Sequence, residues 1–288
     1  MKKKNLSITL LMLGFAITNF SIMAQNEKNV FTTKVGNVKI STLTESQGEG
    51  DAKILIGATD EQIAKYLSDN KFPIATNSFL VQKNGQNILV DAGYGTKLFD
   101  NLQSLGVTPE QVNFILLTHM HGDHIGGLLR DGKKVFPNAD LMLSREEYDY
   151  WYADKNEAQK KVLDVYKDNL ILFDDKEFDE MGEDMIPGIE CIAAYGHTPG
   201  HTAFLISDGN DKLLIWGDLT HAMKIQMPCP EVAMTYDVDP DMAIKARKKV
   251  LEYVAKHKIP IAGMHVPYPA IGNVTSNNSG GYIFESVK

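Results

Sequence analysis

The sequence predicts an α/β protein in which helices cover two packed sheets. Three observations carry that expectation. Strand-like and helix-like stretches alternate loosely in two halves along the 288 residues. A continuous apolar run, VNFILLT (112–118), reads as a strand buried on both faces. Asn84-Gly85, set between two apolar runs, is a strong hairpin signal. At 43% hydrophobic residues the chain can build a sizeable core. One α/β domain of about 250 residues is a common solution at this length.

The elements follow in order. Residues 1–24, MKKKNLSITLLMLGFAITNFSIMA, run from three lysines through an apolar stretch to small residues. That pattern is expected of a secretory signal peptide, leaving residues 25–288 as the mature domain and a secreted or periplasmic location. A membrane anchor is the alternative, but the apolar stretch is interrupted and short of the roughly 20 residues a span needs. FTTKVGNVKISTLTES alternates as a strand pair about Gly36-Asn37. Residues 59–70 read as a helix, with Thr59 and Gln62 forming a capping box. After the hairpin, 96–105 looks helical, and VNFILLT follows. Residues 144–170 form the most helical region, with Ser144 as cap and Glu147 three residues on. IECIAAY, TAFLISD and KLLIWGD return to strand character, 239–257 is a helix, and PIAGMH and GYIFESV are the last strand candidates.

Charge excludes one class of partner. The whole chain carries a formal −8, and without the three lysines of residues 1–24 it holds 26 basic against 37 acidic residues, a net −11. Such a surface repels phosphate backbones, so nucleic acid is not expected as a partner. No stable membrane insertion is expected once the leader is removed. A homodimer is compatible with the sequence, which does not fix the oligomeric state. Cys191 and Cys229 form either one disulfide or two buried thiols, and neither belongs to a CxxC pair.

The chemistry starts at THMHGDHIGG. It gathers His119, His121, Asp123 and His124 within six positions of a chain with eight histidines. In an extended loop residues i and i+2 point the same way, so His119 and His121 can share one ion while Asp123 and His124 turn to a second. Four imidazole and carboxylate groups buried together without a cation would be expensive. Gly126 and Gly127 then suit a tight loop into a helix. Asp91, His197, Asp218 and His265 each follow an apolar run as well, the position where sheet scaffolds present function. The donor set, nitrogen and oxygen without sulfur, suits Zn²⁺ and permits Mn²⁺, Fe²⁺ or Co²⁺.

This order of residues, with HTPGHT around His197, GDL around Asp218, FPNADLMLSREEYDYW and HVPYPAIGNV, resembles the metallo-β-lactamase-fold hydrolases. It is most similar to their dinuclear lactonase and methyl-parathion-hydrolase-like branch, from about residue 30 to the end. The resemblance implies a four-layer αβ/βα sandwich with two divalent metals at one sheet edge. It implies one metal on His119, His121 and His197 and another on Asp123, His124 and His265. Asp218 would bridge both together with a hydroxide that attacks a carbonyl or phosphoryl centre. Asp123 would also carry a proton to the leaving group. Asp91 resembles an aspartate that orients a ligand histidine, or it is a turn-forming residue before Gly93. His201 falls outside the ligand set, in a supporting or structural place. His221 stands where acyl-homoserine lactonases often have a tyrosine; it either donates to the substrate oxygen or acts as an acid, or else lines the cleft rim. Tyr148, Trp151, Tyr152, Met223, Met227 and Met234 are candidates for the substrate pocket, or plain core.

The expected activity is opening of a small-molecule lactone, an N-acyl-homoserine lactone first, which is quorum quenching. Phosphotriester hydrolysis is the alternative enzyme, and a metal-stabilised binding protein without turnover the alternative of another class. A β-lactamase is disfavoured, because a bridging Asp218 belongs to the other branches.

Overall fold

Apolar side chains alternate along the inner strands, and their two sides enter different cores. The computed structural model describes residues 29–153, 156–180 and 184–287. Phe79, Val81, Ile88, Val90, Leu116 and Met142 point into one core. Their sequence neighbours Leu80, Leu89, Ile115, Leu141 and Leu143 point into another. A period of two puts successive side chains on opposite faces, so a sheet carrying this pattern is covered on both.

That sheet has seven strands, with Val38–Asp51, Lys71–Lys83, Gln86–Val90 and Phe114–Leu116 adjacent in that order. Its first four strands are antiparallel. From Gln86–Val90 onward the pairing is parallel, through Phe114–Leu116, Asp140–Ser144 and Leu170–Phe173. A second, mixed sheet of six strands runs from Ile189–Ala193 to Tyr282–Ser286. The inner faces of both sheets meet in the first core. Helices Leu98–Ser104, Arg145–Tyr152 and Glu157–Tyr166 cover the outer face of the first sheet through Leu98, Leu102, Trp151, Val162 and Leu163. Helix Pro240–His257 packs Val250, Leu251 and Val254 beside the second sheet. The result is the αβ/βα sandwich expected from the sequence. A third, smaller cluster joins Leu67 and Phe72 to Ala222, Ile225, Val232 and Met234, beside the two-stranded pairing of Leu55–Ile56 with Ala233–Met234.

Local signals mostly translate directly. The Thr59 capping box is present, its side chain accepting from Gln62 N–H. The Asn84-Gly85 turn takes positive φ at both residues, which the hairpin requires. Two expectations need correction, and two strands were not foreseen. The helix of 59–70 stops at Tyr66, and Asp69 and Asn70 turn with positive φ. The helical region 144–170 is two helices, because Ala153 is extended (φ −63°, ψ 154°) and closes the first one. Leu170–Phe173 is a strand, and Ile271–Ser276 is a strand that sequence patterning passed over. Short apolar runs do not distinguish strand from helix until a partner strand lies beside them. Cys191 lies in the inter-sheet core and Cys229 in the third cluster, both as free buried thiols, so no disulfide joins them. Residues 1–28, which include the stretch expected to be a signal peptide, lie outside the described residues. Among those described, no helix is long and apolar enough to cross a membrane.

Phe204 sits fully buried between the sheets with its ring edge-on to Phe173. Phe204→Ala is expected to destabilise the protein by about 3–5 kcal/mol in denaturant unfolding. A loss below about 1 kcal/mol would show that the sheets do not depend on this contact.

Candidate metal centre

Each candidate ligand leaves the end of a strand at the same edge of the sandwich. His119 follows Phe114–Leu116, and the backbone stays extended through His121 (φ −64°, ψ 158°). The turn Gly122–Ile125 then swings Asp123 and His124 inward. Gly127 fits because a Cβ there would lie 2.3 Å from the Ala92 carbonyl oxygen. His197, Asp218 and His265 follow strands Ile189–Ala193, Asp211–Ile215 and Ile261–Ala262 of the second sheet.

The seven side chains converge. His119, His121, His197 and Asp218 form one group of potential ligand atoms, and Asp123, His124 and His265 a second. His119 Nε2 and His121 Nδ1 are 3.0 Å apart, and His121 Nδ1 and His197 Nε2 are 2.9 Å apart. Asp218 reaches both groups: Oδ2 lies 3.3 Å from His197 Nε2 and 2.9 Å from His265 Nε2, and Oδ1 lies 3.3 Å from His124 Nε2. Two donors about 2.0–2.1 Å from one tetrahedral zinc ion are separated by about 3.3–3.4 Å, close to these spacings. His124 Nε2 and Asp218 Oδ1 are buried without a hydrogen-bond partner, as groups meant for a cation are. The residues fit a divalent metal.

Far sides of the rings are tied down. His119 Nδ1 is 3.0 Å from Thr118 Oγ1, whose hydroxyl donates to Asp91. His124 Nδ1 meets Asp91 Oδ2 at 2.7 Å, His197 Nδ1 meets Asp237 Oδ1 at 2.8 Å, and His265 Nδ1 meets the Ala75 carbonyl at 2.8 Å. A donor nitrogen satisfied on one side leaves the other nitrogen as a lone pair. Asp91 combines both readings of it. It orients His124 and also occupies the left-handed region at φ 57°, which aspartate tolerates. His201 lies behind the cluster. Its Nδ1–H donates to Ala194 O, and its Nε2 accepts from the backbone N–H of Asp218. Burial pushes it down to about 3, so it stays neutral.

The electrostatics call for positive charge. Burial acts against protonating His124 and His197. Even so, Asp218, Asp123 and Asp91 hold His124 well above the ordinary histidine range, and the hydrogen bonds to Asp218 and Asp237 hold His197 up at about 9. The same imidazoles hold Asp218 well below the usual carboxylate range, although burial opposes this. A cation among these groups takes over the role of those protons. Burial instead brings His121 and His221 down to about 4.

His221 lines the cleft and also reaches the ligand groups. It is buried, its Nε2 is 3.1 Å from Asp218 Oδ2, and its ring stacks on His265 at 4.5 Å. With Asp218 and His265 it forms a third group of potential ligand atoms, and its Nδ1 has no partner.

A cleft of about 590 Å³ opens over the cluster. Its walls are Ser46–Glu49, Ile74–Thr76, Tyr94 and Tyr236, and the candidate pocket residues lie elsewhere. Met223, Met227 and Met234 are core. Trp151 is buried against His121 and donates to Glu147. Tyr148 and Tyr152 stack on each other, and Tyr152 bonds Asp164 on the following helix. Amphipathic spacing reports which face of a helix is apolar, not what that face touches.

Four supporting residues escaped sequence reasoning. Glu147 was legible only as a helix-capping partner. It is a buried carboxylate accepting from Met120 N–H, Thr198 Oγ1 and Gly200 N–H, so it joins the two loops that carry His119, His121 and His197. Asn77 Nδ2 donates to the carbonyls of Met264 and Val266 on either side of His265. Asp237 holds His197. Arg247, fully buried, donates to the carbonyls of Leu219, Pro230 and Val232 and so fixes the loop carrying His221. Each acts across a long sequence separation, and no local pattern marks it.

Residues 72–258 match the metallo-beta-lactamase superfamily, and the chain belongs to it. Within that family the N-acyl homoserine lactonase AttM of Agrobacterium fabrum is 29% identical over 195 residues. That match covers 58% of this chain and spans only 63% of AttM's own length. Among solved structures, the dizinc quorum-quenching lactonase AidC, in complex with the product N-hexanoyl-L-homoserine, superposes with a TM-score of 0.83 at 26% identity, over 90% of this chain and 98% of that one. The hydrolase AbOPH of the beta-lactamase superfamily superposes with a TM-score of 0.82 at 27% identity, over 92% and 99% of the two chains.

Asp237→Ala should lower zinc affinity by about 10–100-fold in a calorimetric titration, because His197 loses the group that orients it. Unchanged affinity would show that His197 is held by other means.

Proposed function

We propose that this protein is a dinuclear, zinc-dependent hydrolase that opens lactone rings, N-acyl-homoserine lactones first, outside the cytoplasm. One cation would be held by His119, His121 and His197, the other by Asp123, His124 and His265, with Asp218 shared. The observation that carries the reading is the cleft. Ligand-type side chains form its floor, and among the described residues no lysine or arginine lines it. A substrate carrying a free carboxylate or phosphate would find no cationic side chain there. A neutral ester-like carbonyl needs none. The likeness to AidC and AttM supports the lactone within that class. Export rests on the basic, apolar and small-residue order of residues 1–24.

When bound, divalent cations acidify a water so that hydroxide is available near neutral pH, and they polarise the oxygen that becomes anionic. The side chains do the rest. Asp218 ties both halves of the floor together. Asp123 is the more open of the two carboxylates, 19% exposed against 2% for Asp218, and is placed to take the proton that the attacking water gives up and pass it to the leaving alkoxide. His221, close against Asp218, fixes that carboxylate and turns its ring to the cleft. Ile74, Ala75 and the two tyrosines give the wall above the floor its apolar surface.

Phosphotriester hydrolysis is the second reading. A neutral triester meets the same cation-free wall, and the likeness to AbOPH adds to it. The donor set is complete in both groups, which favours turnover over a binding protein.

Two experiments decide. Zinc-loaded protein offered a homoserine lactone, paraoxon and a cephalosporin should open the lactone fastest and leave the cephalosporin intact. Rapid paraoxon turnover with the lactone untouched would replace the headline by the second reading. Asp218→Ala, or removal of metal by a chelator, should bring hydrolysis of every substrate to background, with activity restored to the chelated wild type by added Zn²⁺. Activity that survives either treatment is incompatible with a two-metal mechanism.

A further inference from the structure

Glycine serves a folded chain in three ways. It takes backbone conformations that other residues avoid, it lets segments approach closely, or it leaves room for a ligand. The first two account for nearly all the described glycines. Gly93, Gly95 and Gly217, for example, lie at positive φ (57°, 76° and 61°). A Cβ on Gly50 would lie 2.3 Å from the Phe72 ring, and one on Gly200 would lie 2.1 Å from the Glu147 nitrogen. Among the described glycines, only Gly48 and Gly122 escape both explanations. Neither has positive φ, and a Cβ on either would meet no heavy atom within 4 Å. Both line the cleft over the metal centre.

Gly48 is the more informative of the two. It lies inside the 14-residue strand Val38–Asp51, opposite Ile74 in the register with Lys71–Lys83. Glycine weakens a strand interior, and a β-branched residue would suit the backbone better. Nothing in the fold refuses one. The space its missing side chain leaves is open, at a position that lines the cleft together with Gln47 and Glu49 of its own strand and Ile74 and Thr76 of the next. Gly122 stands between His121 and Asp123, where the reacting group has to sit. Gly48 belongs to the wall away from the ligand loop.

We propose that Gly48 is a specificity-determining position: the open space above it receives the acyl arm of the substrate, while the space above Gly122 admits the lactone ring. The proposal rests on the lactonase reading of this cleft.

The test compares a ring with an arm and a ring without one. Zinc-loaded wild type, Gly48→Leu and Gly48→Val are assayed on N-hexanoyl-homoserine lactone and on γ-butyrolactone, and Tm is measured for each protein. Gly48→Leu should raise KM for the acylated lactone at least about tenfold, while kcat/KM for γ-butyrolactone stays within about twofold. Gly48→Val should match or exceed the wild-type Tm, since the strand gains a better residue. Equal losses on both lactones, or no change on either, overturn the assignment of Gly48 alone. So does a Tm lower by more than about 4 °C in Gly48→Val, which would give the glycine a folding role. A wild type that opens neither lactone overturns the lactonase reading and this proposal with it.

Discussion

One buried carboxylate organises this protein. Asp218 is only 2% exposed, yet imidazole nitrogens from both ligand groups lie within about van der Waals reach of its two oxygens. An ionised carboxylate removed from water needs compensating charge, or it takes up a proton. Here the compensation comes from a surrounding ring of histidines, several of which are held above their ordinary range by that same carboxylate. The arrangement is a standing demand for cations. It also explains why seven of the eight histidines in the chain crowd one edge of the sandwich.

Such a demand is met only if the rings stay aimed. The chain achieves this with partners behind the cluster. Asp91, Asp237, Thr118 and the Ala75 carbonyl each take the far nitrogen of one ring. Behind these stand Glu147, Asn77 and Arg247, buried polar groups that spend their hydrogen bonds on loop backbone. The left-handed backbone at Asp91 fits this picture of local strain held in place by its surroundings. Rigid support of this kind is what a preorganised site requires.

How much of this could be read from the sequence depended on range. His119, His121, Asp123 and His124 are legible because their spacing is local. His197, Asp218 and His265 are legible because each ends an apolar run, and strands deliver function at their ends. The Thr59 cap and the Asn84-Gly85 hairpin are equally local. What failed is long-range. Asp237 meets His197 across 40 residues, and Glu147 meets Thr198 across 51. The cleft wall comes from the pairing of Ser46–Asp51 with Lys71–Thr76, which no helical pattern announces. Tyr148, Trp151 and the methionines were plausible pocket residues by type. Packing against neighbouring helices and sheets settled where they went.

The ligand groups are divided between the two sheets. His119, His121, Asp123 and His124 leave the first, and His197, Asp218 and His265 leave the second. Neither half of the chain holds all the residues of both ligand groups. The centre is therefore built as a clasp across the sandwich, and its grip on a cation would measure how well the halves are docked. Severed from one another, each half would be chemically silent, and an ion arriving late in folding would close only a chain that had already assembled correctly.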